Sequence, residues 1–218
     1  NWCSEISSTL RRCHRHSCIN IIRLIIIGRI MSLNFLDGTT QTTASGVLEK
    51  IWVPCDGRTV STKSGNNMTI TNVTAKQTFA GTNYADCNGS NITYTPPTGT
   101  TLVIYEYAFM QSRQDSHAIG HYKFNLGGTV ITNSYFSISG NGQLENLIHF
   151  KFPINIGGST NATTGQLASW GSSQVLKLEG RRYGGSNAQE IHTTEYSDGS
   201  GTQRFHQPCV GVTAIAGV

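Results

Sequence analysis

Turn signals recur along this chain at intervals of about one strand, and that spacing constrains the fold more than any single residue does. Pro96-Pro97-Thr98-Gly99, Gly127-Gly128, Gly140-Asn141-Gly142, Gly157-Gly158, Gly184-Gly185 and Asp198-Gly199 stand where the chain must reverse. Glycine there supplies the positive backbone angles that tight hairpins require. Between these points lie runs rich in β-branched and aromatic residues: Val47–Val53, Met68–Thr74, Asn91–Thr95, Thr100–Met110, Gly120–Leu126, Thr129–Ile138, Glu145–Ile156, Ser173–Tyr183, Ala188–Tyr196 and Cys209–Ala216. Each reads as a strand.

Period-two alternation places Val103, Tyr105, Tyr107 and Phe109 on one face of the first long run, and Ile148, Phe150, Phe152 and Ile154 on one face of another. A strand with one apolar face must bury it against a second layer. The predicted fold is therefore all-β, an antiparallel two-sheet sandwich that is jelly-roll-like. With 24 Gly, only 5 Pro and 13% charged residues in 218, the composition fits short strands and polar turns, not long helices.

The charge is unevenly placed. Residues 1–30 hold Arg11, Arg12, Arg15, Arg23 and Arg29 against Glu5, so residues 31–218 hold 16 − 5 = 11 basic and 12 − 1 = 11 acidic side chains. A neutral body without a basic run lacks the footprint of phosphate binding, and its nearest approach is the pair Arg181 and Arg182, so no nucleic-acid partner is expected. The apolar stretch before Met31 is interrupted by Arg23 and is too short for a membrane span. Residues 1–30 are read as upstream read-through or a leader outside the core, with an amphipathic targeting segment as the competing account. Residues 31–66 are read as an N-terminal arm or connection, and residues 67–218 as the sandwich.

The segments NITYTPPTGTTLVIYEYAF, HYKFNLGGTVIT, IHFKFPINIGGSTNATTGQLASW, VLKLEGRRY, IHTTEYSDGSG and CVGVTAIA, within residues 91–216, resemble small structural proteins of marine bacteriophages, particularly those infecting cyanobacteria. The resemblance implies a virion component, a tail-fibre, appendage or capsid-surface module, and a homo-oligomer, with a trimer favoured by analogy with similar virion sandwiches. It implies other virion proteins as partners and a host cell-surface glycan or protein as a contact.

No nucleophile elbow, phosphate loop, zinc signature or dinucleotide fingerprint occurs, so no catalytic residue, cofactor or metal site is expected. The cluster Cys13, His14, His16 and Cys18 is too compressed for two-plus-two zinc ligation. Cys55, Cys87 and Cys209 are too scattered for a disulfide framework. His117, His121, His149, His192 and His206 are read as cross-strand or turn residues, and the sequons at Asn67, Asn72, Asn88, Asn91 and Asn161 as polar strand and loop positions. Asp115, Glu145 and Glu190 are the carboxylates a glycan-cleaving enzyme would need, but their separation is a three-dimensional property. Aromatic residues in turn-rich segments can stack on sugars or anchor a partner. Tyr135, Phe136, Trp170, Tyr183 and Tyr196 are so placed, and Trp170, Tyr135, Tyr183 and Tyr196 are the candidate ligand or partner contacts. The alternative to a virion module is a secreted carbohydrate- or protein-binding sandwich.

Overall fold

A computed structural model describes residues 23–27, 30–34, 40–41, 46–113, 119–139, 145–184, 189–194 and 202–217. The chain divides into two units, residues 1–44 and 45–218. The first holds a three-stranded antiparallel sheet of β1 (Arg23–Ile27), β2 (Ile30–Asn34) and β3 (Thr40–Gln41). The β1–β2 pairing runs across the point where sequence texture changes, with Met31 opposite Ile26. The Cys13–Cys18 cluster lies outside the described residues.

The second unit is a sandwich of antiparallel sheets. Its strands are β4 (Gly46–Pro54), β5 (Thr59–Ser61), β6 (Asn67–Thr69), β7 (Gln77–Phe79), β8 (Ala85–Asp86), β9 (Ile92–Tyr94), β10 (Leu102–Arg113) and β11 (Ile119–Leu126). They continue with β12 (Thr129–Val130), β13 (Phe136–Ser139), β14 (Asn146–Asn155), β15 (Gln174–Arg182), β16 (Gln189–Ile191), β17 (Thr193–Thr194), β18 (Arg204–Phe205) and β19 (Cys209–Ala216). In the front sheet the order is β4-β19-β10-β14, with β16 and β7 continuing beyond the end of β19 along β10. The back sheet has β11 and β15 at its centre, β12 and β13 along the outer edge of β11, and β8 and β9 along the outer edge of β15.

The sandwich thus takes in the chain from Gly46, not only from residue 67. Strand β4 supplies the neighbour of β19 over its length, and Ile51 enters the core while Glu49 accepts a 2.7 Å hydrogen bond from the Tyr94 hydroxyl. Gly211 faces β4 at its tightest point. A Cβ there would stand 2.0 Å from the Ile51 carbonyl oxygen, a backbone atom that cannot swing away.

Alternation in β10 works as the sequence predicts: Val103, Tyr105, Tyr107 and Phe109 are fully buried and meet Tyr122 and Phe124 of β11, Leu176 and Leu178 of β15, and Val210 and Val212 of β19. Burying each such side chain contributes about 1.5–3 kcal/mol. The phenolic hydroxyls find partners, as buried tyrosines must. Tyr105 donates to the Ser90 carbonyl at 2.6 Å, Tyr107 to the Asn88 carbonyl at 2.6 Å, and Tyr122 to Gln111 Oε1 at 2.8 Å. Two of these bonds pin the 87–90 turn to the core. Tyr105→Phe is expected to cost about 1–2 kcal/mol by leaving the Ser90 carbonyl without its donor; a thermal melt unchanged from the parent would refute that assignment.

The run Thr129–Ile138 is not one strand. A single 3-10 turn, Thr132–Ser134, separates β12 from β13. Ser134 Oγ accepts from the Phe124 amide at 2.8 Å and donates to the Ile131 carbonyl at 2.7 Å, and such side-chain bonds to backbone compete with a strand ladder.

Candidate binding face

The outer face of the back sheet gathers the most chemistry. Strands β11 and β15 pair so that His121 stands opposite Arg181 and Lys123 opposite Glu179, and β8 brings Asp86 opposite Glu179. Because alternate residues point away from the core, these side chains share one surface. Glu179 is held by Lys123 at 3.1 Å, Lys177 at 3.3 Å and Asn125 Nδ2 at 3.1 Å, and Lys177 also meets Asp86 at 2.6 Å. The Asp86 carboxylate beside Lys177 raises the ammonium's affinity for its proton.

An aromatic group stands beside this ladder. Lys123 Nζ lies 4.2 Å from the centre of the Tyr84 ring and Arg181 Cζ lies 5.1 Å from it, a distance at which the ring's negative face attracts a cation. Tyr135 meets Tyr84 edge-on at 6.2 Å and is 52% exposed. Tyr183, 63% exposed, tilts against His121 at 5.4 Å. His121 Nδ1 is 2.7 Å from Ser137 Oγ, while its Nε2 is buried without a hydrogen-bond partner. Burial, and then the positive charge of Arg181, lower the His121 pKa below the ordinary histidine value. Arg181 donates to the carbonyls of Arg182 and Tyr183 at 3.1 and 3.2 Å, and it forms no ion pair among the described residues.

Two of the sequence candidates, Tyr135 and Tyr183, therefore flank one surface. Trp170 is placed elsewhere: its indole donates to the Tyr94 carbonyl at 3.2 Å and its ring meets Tyr94 edge-on at 6.2 Å, so it packs against the core. Phe136 stacks between Tyr122 and Phe150 at 5.1 and 5.3 Å. Tyr196, Asp115 and His117 lie outside the described residues. Glu190 is buried against Lys76 at 2.7 Å and Gln203 at 3.1 Å. Among the described residues no group of three or more His, Cys, Asp and Glu is placed to hold a metal ion. Among them also, no helix is long and apolar enough to cross a membrane.

Sequence reasoning missed Tyr84. Its neighbour β8 is two residues long, too short to show alternation, and only the pairing of β8 with β15 brings Tyr84 beside Lys123 and Arg181.

Comparison with known protein families finds no match, and neither does comparison with curated proteins. Among solved structures, a chain in the structure of infectious bursal disease virus Gx strain is similar at a TM-score of 0.32 with 12% identity, over 90% of this chain and 41% of that one. The matched region spans less than half of that protein, and a likeness of this degree carries no argument about function.

Proposed function

We propose that this chain is a non-enzymatic virion structural protein, a tail-fibre, appendage or capsid-surface module that assembles as a homo-oligomer, with a trimer favoured, and contacts the host surface. The observation that carries the reading is the strand order. Taking β8 with β9 and β12 with β13 as single positions, and setting aside the short strands β5, β6, β7, β16, β17 and β18, the unit has eight principal positions. The front sheet then reads first-eighth-third-sixth and the back sheet second-seventh-fourth-fifth. We read that wrapping as jelly-roll wiring, which recurs in viral capsid proteins, lectin domains and cupins. The resemblance of residues 91–216 to marine phage structural proteins favours the first of these.

The back face supports the contact role. Exposed tyrosines offer flat apolar surface at low entropic cost, and Arg181 offers charge without a competing carboxylate. Lys123 and Glu179 neutralise one another. A cell-surface glycan carrying acidic groups fits this chemistry. A secreted carbohydrate-binding sandwich would use the same face, so location separates the two readings: antibody raised against the chain should decorate intact particles, and label confined to secreted cellular material would sink the virion assignment.

The contact itself is tested on a panel of immobilised surface glycans. Tyr183→Ala and Arg181→Gln are each expected to weaken retention about tenfold, a loss near 1.4 kcal/mol. Retention that both variants leave unchanged would move the contact off this face.

A further inference from the structure

At the end of the front sheet, away from the back face, an amine, a carboxylate and a carboxamide form a closed hydrogen-bonded ring. Glu190 stands on β16 between Thr78 of β7 and Ser112 of β10, and it is 2% exposed. Lys76, just before β7, donates from Nζ to Glu190 Oε1 at 2.7 Å and to Gln203 Oε1 at 2.7 Å. Gln203, just before β18, donates from Nε2 to Glu190 Oε2 at 3.1 Å. Thr78 Oγ1 also donates to Glu190 Oε1, at 3.2 Å.

These are the reactants and the catalyst of an amide exchange. The amine touches one carboxylate oxygen and the amide nitrogen touches the other, so a single carboxyl group can take a proton from the attacking nitrogen and give one to the leaving nitrogen. A carbonyl bond is about 1.2 Å long, so the contact with Gln203 Oε1 holds Nζ within about 4 Å of the amide carbon. Attack takes place at about 3–3.5 Å, a shift of roughly an ångström or less. Ser112, directly opposite Glu190 and 1% exposed, has a buried hydroxyl with no hydrogen-bond partner. Opposed residues share a face with Cβ atoms about 5 Å apart, so a spare acceptor stands beside a carboxyl group that carries a proton.

The geometry points to an isopeptide bond between Lys76 and Gln203, formed once in each folded chain with Glu190 as the proton relay. Glu190 takes a proton from the Lys76 ammonium, and the free amine attacks the Gln203 amide carbon. The carboxyl group then protonates Gln203 Nε2 and recovers a proton from the attacking nitrogen. The Nζ–Cδ bond forms, the Cδ–Nε2 bond breaks, and ammonia leaves along the Lys76 side chain, which is 35% exposed. Nothing is oxidised or reduced, and a buried ion pair gives way to a neutral amide and a neutral acid.

The bond closes a separation of 127 residues. It braces the sheet where β7 and β16 are only three residues long and ladder bonds are few.

The test is mass spectrometry of the full chain, unfolded after purification and read both intact and after tryptic digestion. The parent is expected to be lighter than its sequence by one ammonia and to give a branched peptide in which Lys76 is joined to Gln203. Loss of ammonia at Asn88-Gly89 or Asn141-Gly142 gives no branched peptide. Lys76→Arg, which keeps the charge without the primary amine, is expected to abolish the branched peptide. Glu190→Gln is expected to lower its yield about a hundredfold, the share of a general acid–base group. Should Glu190→Gln unfold, Glu190→Asp, whose carboxyl group is drawn back by one methylene, is read instead, with slower accumulation expected. A wholly linear digest from the folded parent overturns the cross-link, and a branched peptide undiminished in the Glu190 variants overturns the relay.

Discussion

Phe124→Ala is expected to remove about 3–5 kcal/mol of folding stability, the usual cost of deleting a buried aromatic ring whose site cannot collapse. Phe124 sits in the middle of β11, fully buried, and closes the space between the two sheets. Its ring lies 5.0 Å from Tyr105 of the front sheet, 4.9 Å from Phe152 and 6.0 Å from Phe150. Tyr105 cannot move into the gap without breaking its bond to the Ser90 carbonyl. The cavity therefore persists. For a domain whose whole stability is typically about 5–15 kcal/mol, the variant should show a large fall in the urea midpoint with little change in slope. A loss under about 1 kcal/mol, below the range for such truncations, would mean that the two sheets are not packed across this ring.

Acid is expected to cost almost as much. His192 is fully buried between β16 and β17, edge-on to Tyr107 at 6.5 Å and Phe109 at 6.4 Å. Its Nδ1 has no partner, and its Nε2 lies 3.5 Å from the Tyr107 hydroxyl. Burial pushes its pKa down from 6.5 to about 4, assisted by the charge of His206 and opposed by a hydrogen bond to the Asn88 backbone. The unfolded chain then binds a proton that the folded chain refuses. Stability is full above pH 6.5 and falls as the pH drops toward 4, by about 3 kcal/mol in all, since each tenfold difference in proton affinity between the two states is worth about 1.4 kcal/mol. His192 has a positive φ of 67°, a region that asparagine tolerates better than most residues. His192→Asn is the variant expected to remove the acid sensitivity. Denaturant midpoints that coincide at pH 7 and pH 4.5 for the parent would exclude His192 as the source.

The core of this fold was legible and the binding face was not, for a physical reason. Inward positions of β10 alternate within one strand, so Tyr105, Tyr107 and Phe109 could be grouped on one apolar face from their own neighbours in sequence. The half-burial of Phe150 and Phe152 was not legible, since nothing in β14 itself says that it ends a sheet. The back face needed cross-strand register as well. Lys123, Glu179 and Asp86 come together only because three separate strands align at one level. Two breaks were also hidden. Ser134 and His192 interrupt runs that read as continuous strands, one through side-chain bonds to the backbone and the other through a left-handed residue. Trp170 looked like a loop aromatic because its partner, Tyr94, is remote in sequence.

The pairing of β4 with β19 also sets an order of events. These strands come from opposite ends of the second unit, and β19 lies between β4 and β10 in the front sheet. Until β19 is in place, β4 has no ladder partner in that sheet and β10 has only β14 along half its length. On a ribosome the sandwich must therefore wait for nearly the whole of this unit to be made. With most of its pairings between strands that are not neighbours in sequence, it belongs among slow folders whose unpaired edges are exposed meanwhile. Neighbouring nascent copies would meet at those edges before any finished surface exists, so the yield of correctly assembled protein should depend on synthesis rate and on chaperones as much as on the stability of the final fold.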